Sequence, residues 1–182
     1  MNATRRALLA GAAAAAVVIL IPPDVPPTVK FEGFPAQINL SLEKLTESRQ
    51  PQSMQFSEEG VNAYLASAMK RKKEKLNHPL IDFERAIVAF TEGNCRVTIE
   101  RSIFGYSIFT SGDYAVQIAS GKVTASPRSG AIGRMPIDPG VMPYAGFLFS
   151  DAVAAMDREH KLLNKVGSIQ LREKEIAVTS AQ

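Results

Sequence analysis

From position 81 onward apolar and polar residues alternate with a period of two, and this alternation constrains the chain more than any other feature. In RAIVAFTEGNCRVTIER (residues 85–101) it predicts two strands joined around Glu92, Gly93 and Asn94. Val97 and Ile99 fall on one face, and Arg96, Thr98 and Glu100 on the other. YSIFTSGDYAVQIASGKVTAS (residues 106–126) continues the pattern, with turn chemistry expected at residues 111–113 and at Ser120 and Gly121. A sheet with one covered and one wet face is built from antiparallel strands. The chain closes with SIQLREKEIAVTS, a hairpin in which Ile169, Leu171, Ile176 and Val178 alternate around Glu173 and Lys174.

Such a sheet needs a cover, and two segments have helical spacing. After a short strand at residues 54–56, Ser57 is a good N-cap, with Glu58 and Glu59 in the first turn where the helix dipole favours negative charge. Val61, Tyr64, Leu65, Ala68 and Met69 then form the buried face, and Asn77, His78 and Pro79 close the segment. A second long helix is expected from Pro143 to a stop at Gly167, burying Leu148, Ala152, Met156, Leu163 and Val166. The expected fold class is α+β: an antiparallel β-meander packed against two long helices, preceded by an N-terminal membrane-spanning or signal-anchor helix.

The N-terminus reads as an address. Arg5 and Arg6 precede fifteen apolar residues, positions 7–21, a composition that marks an export signal and sets topology with the N-terminus inside. Fifteen helical residues span roughly 22 Å against a hydrocarbon core of about 30 Å. Pro22, Pro23 and Asp24 are poor neighbours for a signal peptidase site, which favours a retained anchor over a cleaved signal peptide. The expected organisation is therefore 1–21 anchor or signal, 22–52 Pro-rich linker and connector, and 53–182 an extracytoplasmic α+β domain. Within the connector, residues 38–45 fit a strand and a helix equally well. The chain is then a single-pass protein of the cell membrane, with its body on the outer side.

Charge narrows the partners. Without Arg5 and Arg6 the chain carries 19 basic against 18 acidic residues, too balanced for a dedicated nucleic-acid binder. Cys95 is the lone cysteine, so no intrachain disulfide can form, and with His78 and His160 far apart in sequence no structural zinc site is expected. No phosphate loop, nucleophile elbow or metal-spaced histidine pair is present, so neither a cofactor nor catalysis is expected. Two surfaces stand out. Lys70, Arg71, Lys72 and Lys73 end the first helix, either as a solvated last turn or as a contact with anionic lipid. In YAGFLFS, Tyr144, Phe147 and Phe149 are candidates for a ligand surface, because Phe147, Leu148 and Phe149 cannot all face one core from a helix. Asn62 is read as a tie between its helix and a strand's backbone. The predicted function is binding of a lipid or other apolar ligand between helix and sheet, with a structural or protein-interaction role in the cell envelope as the alternative.

The order of parts carries a resemblance. The N-terminal anchor, a strand entering FSEEGVNAYL, a β-meander, GRMPIDPG before a helix and a closing IQLREKEIAV hairpin resemble the YpmS-like family of membrane-anchored extracytoplasmic domains, over most of residues 53–180. Glu59, Asn62 and Leu65 match that family's acidic residue, Asn and Leu. The resemblance implies an anchored domain with no assigned reaction. More distantly, a sheet curled over a helix is similar to lipid-cradling envelope domains.

Overall fold

The computed structural model describes residues 18–23, 25, 37–48, 50–119, 121–138 and 140–181. Arg5, Arg6 and most of the apolar run lie outside the described residues. Among those described, no helix is long and apolar enough to cross a membrane.

The alternation resolves into two antiparallel sheets rather than one. The larger is a meander of β2 (Ile81–Thr91), β3 (Asn94–Ile103), β4 (Tyr106–Ala119), β5 (Lys122–Ile132) and β6 (Met135–Ile137), in that spatial order. The smaller places β8 (Glu175–Ser180) between β1 (Ser53–Ser57) and β7 (Val166–Arg172). Period-two patterning fixes which face a residue takes but says nothing about which strand pairs with which. The pairing of Phe56 with Ile176, far apart in the chain, is a tertiary event.

The residues expected to turn at 111–113 instead continue β4, with a bulge between Asp113 and Tyr114. Gly112 is needed for close approach, since a Cβ there would lie 2.8 Å from the Tyr114 ring. Asp113 faces the other way, paired with Arg96 at 2.7 Å. That outer face is not uniformly wet, because Thr98 and Phe109 on it are both buried.

The helix α1 (Ile38–Glu47) settles the ambiguous connector. Ile38, Leu42 and Leu45 are buried on its inner face and belong to the core, and Arg158 holds its Glu43 at 2.6 Å. α2 (Glu58–Lys70) starts where expected, the Ser57 hydroxyl accepting from the Gly60 amide at 3.1 Å. A single turn, α3 (Lys73–Leu76), follows it.

The second long helix is corrected to three short pieces: a 3-10 helix (Met142–Leu148), α4 (Ser150–Ala155) and α5 (Asp157–Leu163). The breaks fall at Phe149 (φ −117°) and Met156 (φ −105°). Phe149 turns inward to meet Tyr114 edge-on, with ring centroids 6.0 Å apart, and Met156 packs against both halves of the core. Burying these two large side chains outweighs the few hydrogen bonds an unbroken helix would add. Gly167 lies in β7 rather than ending a helix.

A candidate apolar ligand cavity

The inner face of the meander carries many small side chains beside the larger Phe90 and Ile99. Ala86 and Val88 of β2, Val97 of β3, Val116 of β4, and Val123 and Ala125 of β5 all point inward by register. Leu42 of α1 and Tyr64, Leu65 and Met69 of α2 face them, and Leu171 and Val178 close the far side from the smaller sheet. Small residues on a broad, curved sheet do not reach the helices opposite. The result is a cavity of about 360 Å³. It lies between two core clusters, one around Leu42, Leu45 and Val178, the other around Phe83, Ile99 and Phe149, with Val61 and Met156 packed against both. Val153 and His160 line it while remaining exposed, so the cavity reaches the surface beside α4 and α5.

The helix that roofs the cavity is held by specific polar ties. Asn62 Nδ2 donates to Val88 O and its Oδ1 accepts from Val88 N, both at 2.8 Å. Glu58 Oε2 accepts from the Phe90 amide at 2.6 Å. β2 is the edge strand of its sheet, and these side chains satisfy outward backbone groups that would otherwise invite another strand. The hairpin tip adds a backbone seam between the sheets: Lys174 N donates to Phe90 O and Gly93 N to Leu171 O, each at 3.1 Å.

Few polar groups border the cavity. The Tyr64 hydroxyl donates to Glu159 Oε1, and burial, reinforced by that bond, pushes its pKa well above the ordinary phenol value. Glu159 Oε2 is sealed from solvent and has no hydrogen-bond partner. The Cys95 thiol is pushed up to about 12, chiefly by burial and then by the nearby Asp113 and Glu58 charges. It is therefore a protonated, weakly nucleophilic lining group at neutral pH. Among the described residues no three His, Cys, Asp or Glu side chains converge as a metal site. The arrangement can hold hydrocarbon and presents almost no polar group to it.

The sequence-predicted site residues separate. Phe149 is 4% exposed and lines the cavity, whereas Tyr144 and Phe147 are 80% and 72% exposed and lie outside it. Of the basic run, Lys72 donates to Ala155 O and Lys73 pairs with Glu84 at 3.0 Å, while Lys70 and Arg71 face solvent. Asn62 makes the helix-to-strand tie read from sequence. Sequence reasoning missed the lining itself, for which the available signal was the Ala and Val set beside Phe90 and Ile99 at inward positions of adjacent strands.

No protein-family model matches the chain, and no curated protein matches it in sequence.

Proposed function

We propose that this domain binds the hydrocarbon part of a lipid in the cavity between α2 and the two sheets, without catalysis, and that the N-terminal apolar segment holds it at the outer side of a membrane. The supporting observation is the size of the cavity. An apolar lining of that extent, wetted through its open mouth, gains free energy when hydrocarbon replaces the water against it. The volume also falls within the range of natural ligand sites, and its lining has the mostly apolar character of such sites. The lining presents almost no polar surface, which favours an uncharged hydrocarbon chain over a charged group inside the cavity. This reading accords with what the resemblance to YpmS-like domains implies.

The test uses residues 28–182 and the neutral fluorophore N-phenyl-1-naphthylamine. The wild-type protein should bind the probe, and Val97→Phe, which fills the cavity, should abolish binding while remaining folded. Equal probe binding by wild type and Val97→Phe would remove the cavity from the argument.

A further inference from the structure

Apart from Leu40 and Val153, the exposed large apolar side chains of the body gather toward one end. Ile81 pairs with Ile103, Ile103 with Tyr106, Thr110 with Ile132 and Ile132 with Met135. By this register the turns at Leu80, at Phe104 and Gly105, and at Gly133 and Arg134 all emerge from one end of the meander. The segment that follows the 3-10 helix reaches the same end, where Asp151 is held by Arg101 at 2.7 Å and lies 3.8 Å from His78. Leu80, Phe104 and Tyr106 are exposed there, Phe104 by 77%, and Val141, Tyr144 and Phe147 are exposed on and beside the 3-10 helix that leads to it. The opposite end presents Glu92, Gly93, Gly121 and Glu173 instead.

Two of these side chains are displayed against local preference. Leu80 and Phe104 have φ of 72° and 50°, the left-handed region that bulky L-residues avoid. Phe104 and Gly105, both at positive φ, make a two-residue hairpin connection in which Asn, Asp or Gly is the usual first residue. An aromatic ring held there is costly to folding and points to a use outside it.

The N-terminal segment arrives at this same end. Arg134 N donates to Val18 O and Arg134 Nε to Pro22 O, each at 3.1 Å. A Cβ at Gly133, whose φ is 59°, would lie 2.1 Å from Ile19 O, so glycine there lets the segment lie directly on the turn. Residues 18–21 are the end of the apolar run. Positive charge collects nearby as well. α2 runs antiparallel to β2, with Glu58 at Phe90, Asn62 at Val88 and, beyond its end, Lys73 at Glu84, so Lys70, Arg71 and Lys75 are exposed toward this end.

We infer that this end of the body lies on an anionic bilayer, with Leu80, Phe104, Tyr106, Tyr144 and Phe147 in the interfacial layer and Lys70, Arg71 and Lys75 near the headgroups. Aromatic side chains favour that layer, and each basic residue near an anionic surface contributes about fivefold in affinity. The N-terminal apolar run, leaving from the same end, brings the body to the surface its aromatics suit. The inference shares with the proposed function only the reading of that run as membrane-embedded, and does not depend on the cavity.

The chain has no tryptophan, so single Trp variants report locally. The full chain carrying Phe104→Trp, Phe147→Trp or, at the far end, Glu92→Trp is reconstituted into phosphatidylcholine vesicles with and without phosphatidylglycerol, each containing brominated lipid. Fluorescence of the first two variants should be quenched about threefold more strongly than that of the third. Replacing Lys70, Arg71 and Lys75 by Gln should reduce quenching of Phe104→Trp in anionic vesicles alone. Equal quenching of all three variants overturns the inference. So does a blue shift at 104 and 147 without quenching, which would mean that a second copy or an envelope protein covers them. A chain that fails to float with the vesicles overturns the membrane reading of the N-terminus as well, whereas one that floats without quenching at 104 and 147 loses only the docking surface.

Discussion

Replacing Asn62 by Ala tests how the roof of the cavity is held. The substitution leaves the Val88 N–H and C=O, each bonded to Asn62 at 2.8 Å, without their partners. Both groups are partly buried, and a buried polar group left unpaired costs about 1–3 kcal/mol. Because water can reach part of this site, the expected loss is near the lower end for each, about 2–3 kcal/mol together. For a domain of this size that corresponds to a fall of roughly 5–10 °C in Tm. Asn62→Asp is the informative companion. It keeps an acceptor for Val88 N but sets a carboxylate oxygen against Val88 O, so the folded-state pKa of the new carboxyl rises above its ordinary value near 4. A raised carboxyl pKa favours the folded state at low pH and loses that contribution as pH rises through the folded value. Asn62→Asp should therefore approach wild type near pH 4 and fall toward Asn62→Ala by pH 7, while Asn62→Ala relative to wild type stays flat. Equilibrium urea unfolding of residues 28–182, followed by circular dichroism at both pH values, measures all three. A loss below about 0.5 kcal/mol for Asn62→Ala, with an unchanged urea dependence, would refute the assignment of Asn62 as the tie.

Phe104→Asn should stabilise the body by about 1 kcal/mol, because Asn tolerates the left-handed conformation that Phe resists, while weakening attachment of that end to anionic vesicles. A lower Tm would contradict the strain argument. Cys95, with its thiol pushed up to about 12, should react with iodoacetamide at pH 8 roughly a thousandfold more slowly than a free thiol and become reactive only in denaturant. Rapid alkylation of the native protein would contradict its burial.

What the sequence revealed was mostly local. Ser57 caps α2, the stripe from Val61 to Met69 faces the core, and Glu173 and Lys174 turn the last hairpin, because each depends on neighbours within a few positions. Asn62 was legible for the same reason: a polar residue beside a buried stripe needs a backbone partner. The broken second helix was not, since the breaks answer to Tyr114 and to the two core clusters, which are distant in sequence. In residues 38–45 two periodicities competed, and the decision came from core space that only the assembled sheets define. The cavity was legible in composition, as Val and Ala on inward positions, but not in shape, because its volume depends on how far the sheets curve from the helices. Phe147, Leu148 and Phe149 were recognised as unable to face one core together, and the structure buries Phe149 while leaving Tyr144 and Phe147 outside the cavity.

The seam at the hairpin tip also determines how the body can move. Among the described residues the two sheets share backbone hydrogen bonds only there, through Lys174 and Phe90 and through Gly93 and Leu171, while elsewhere they meet through side chains. The sheets are thus leaves bound along a spine at the end farthest from Phe104 and Phe147. Breathing of such a body would widen the gap away from the spine, so the proposed hydrocarbon guest, where too long for the resting interior, would enter by swinging the leaves rather than by unravelling a strand. The amide hydrogens of Gly93 and Lys174 belong to the pivot and should exchange with solvent more slowly than those of the turn at Phe104 and Gly105.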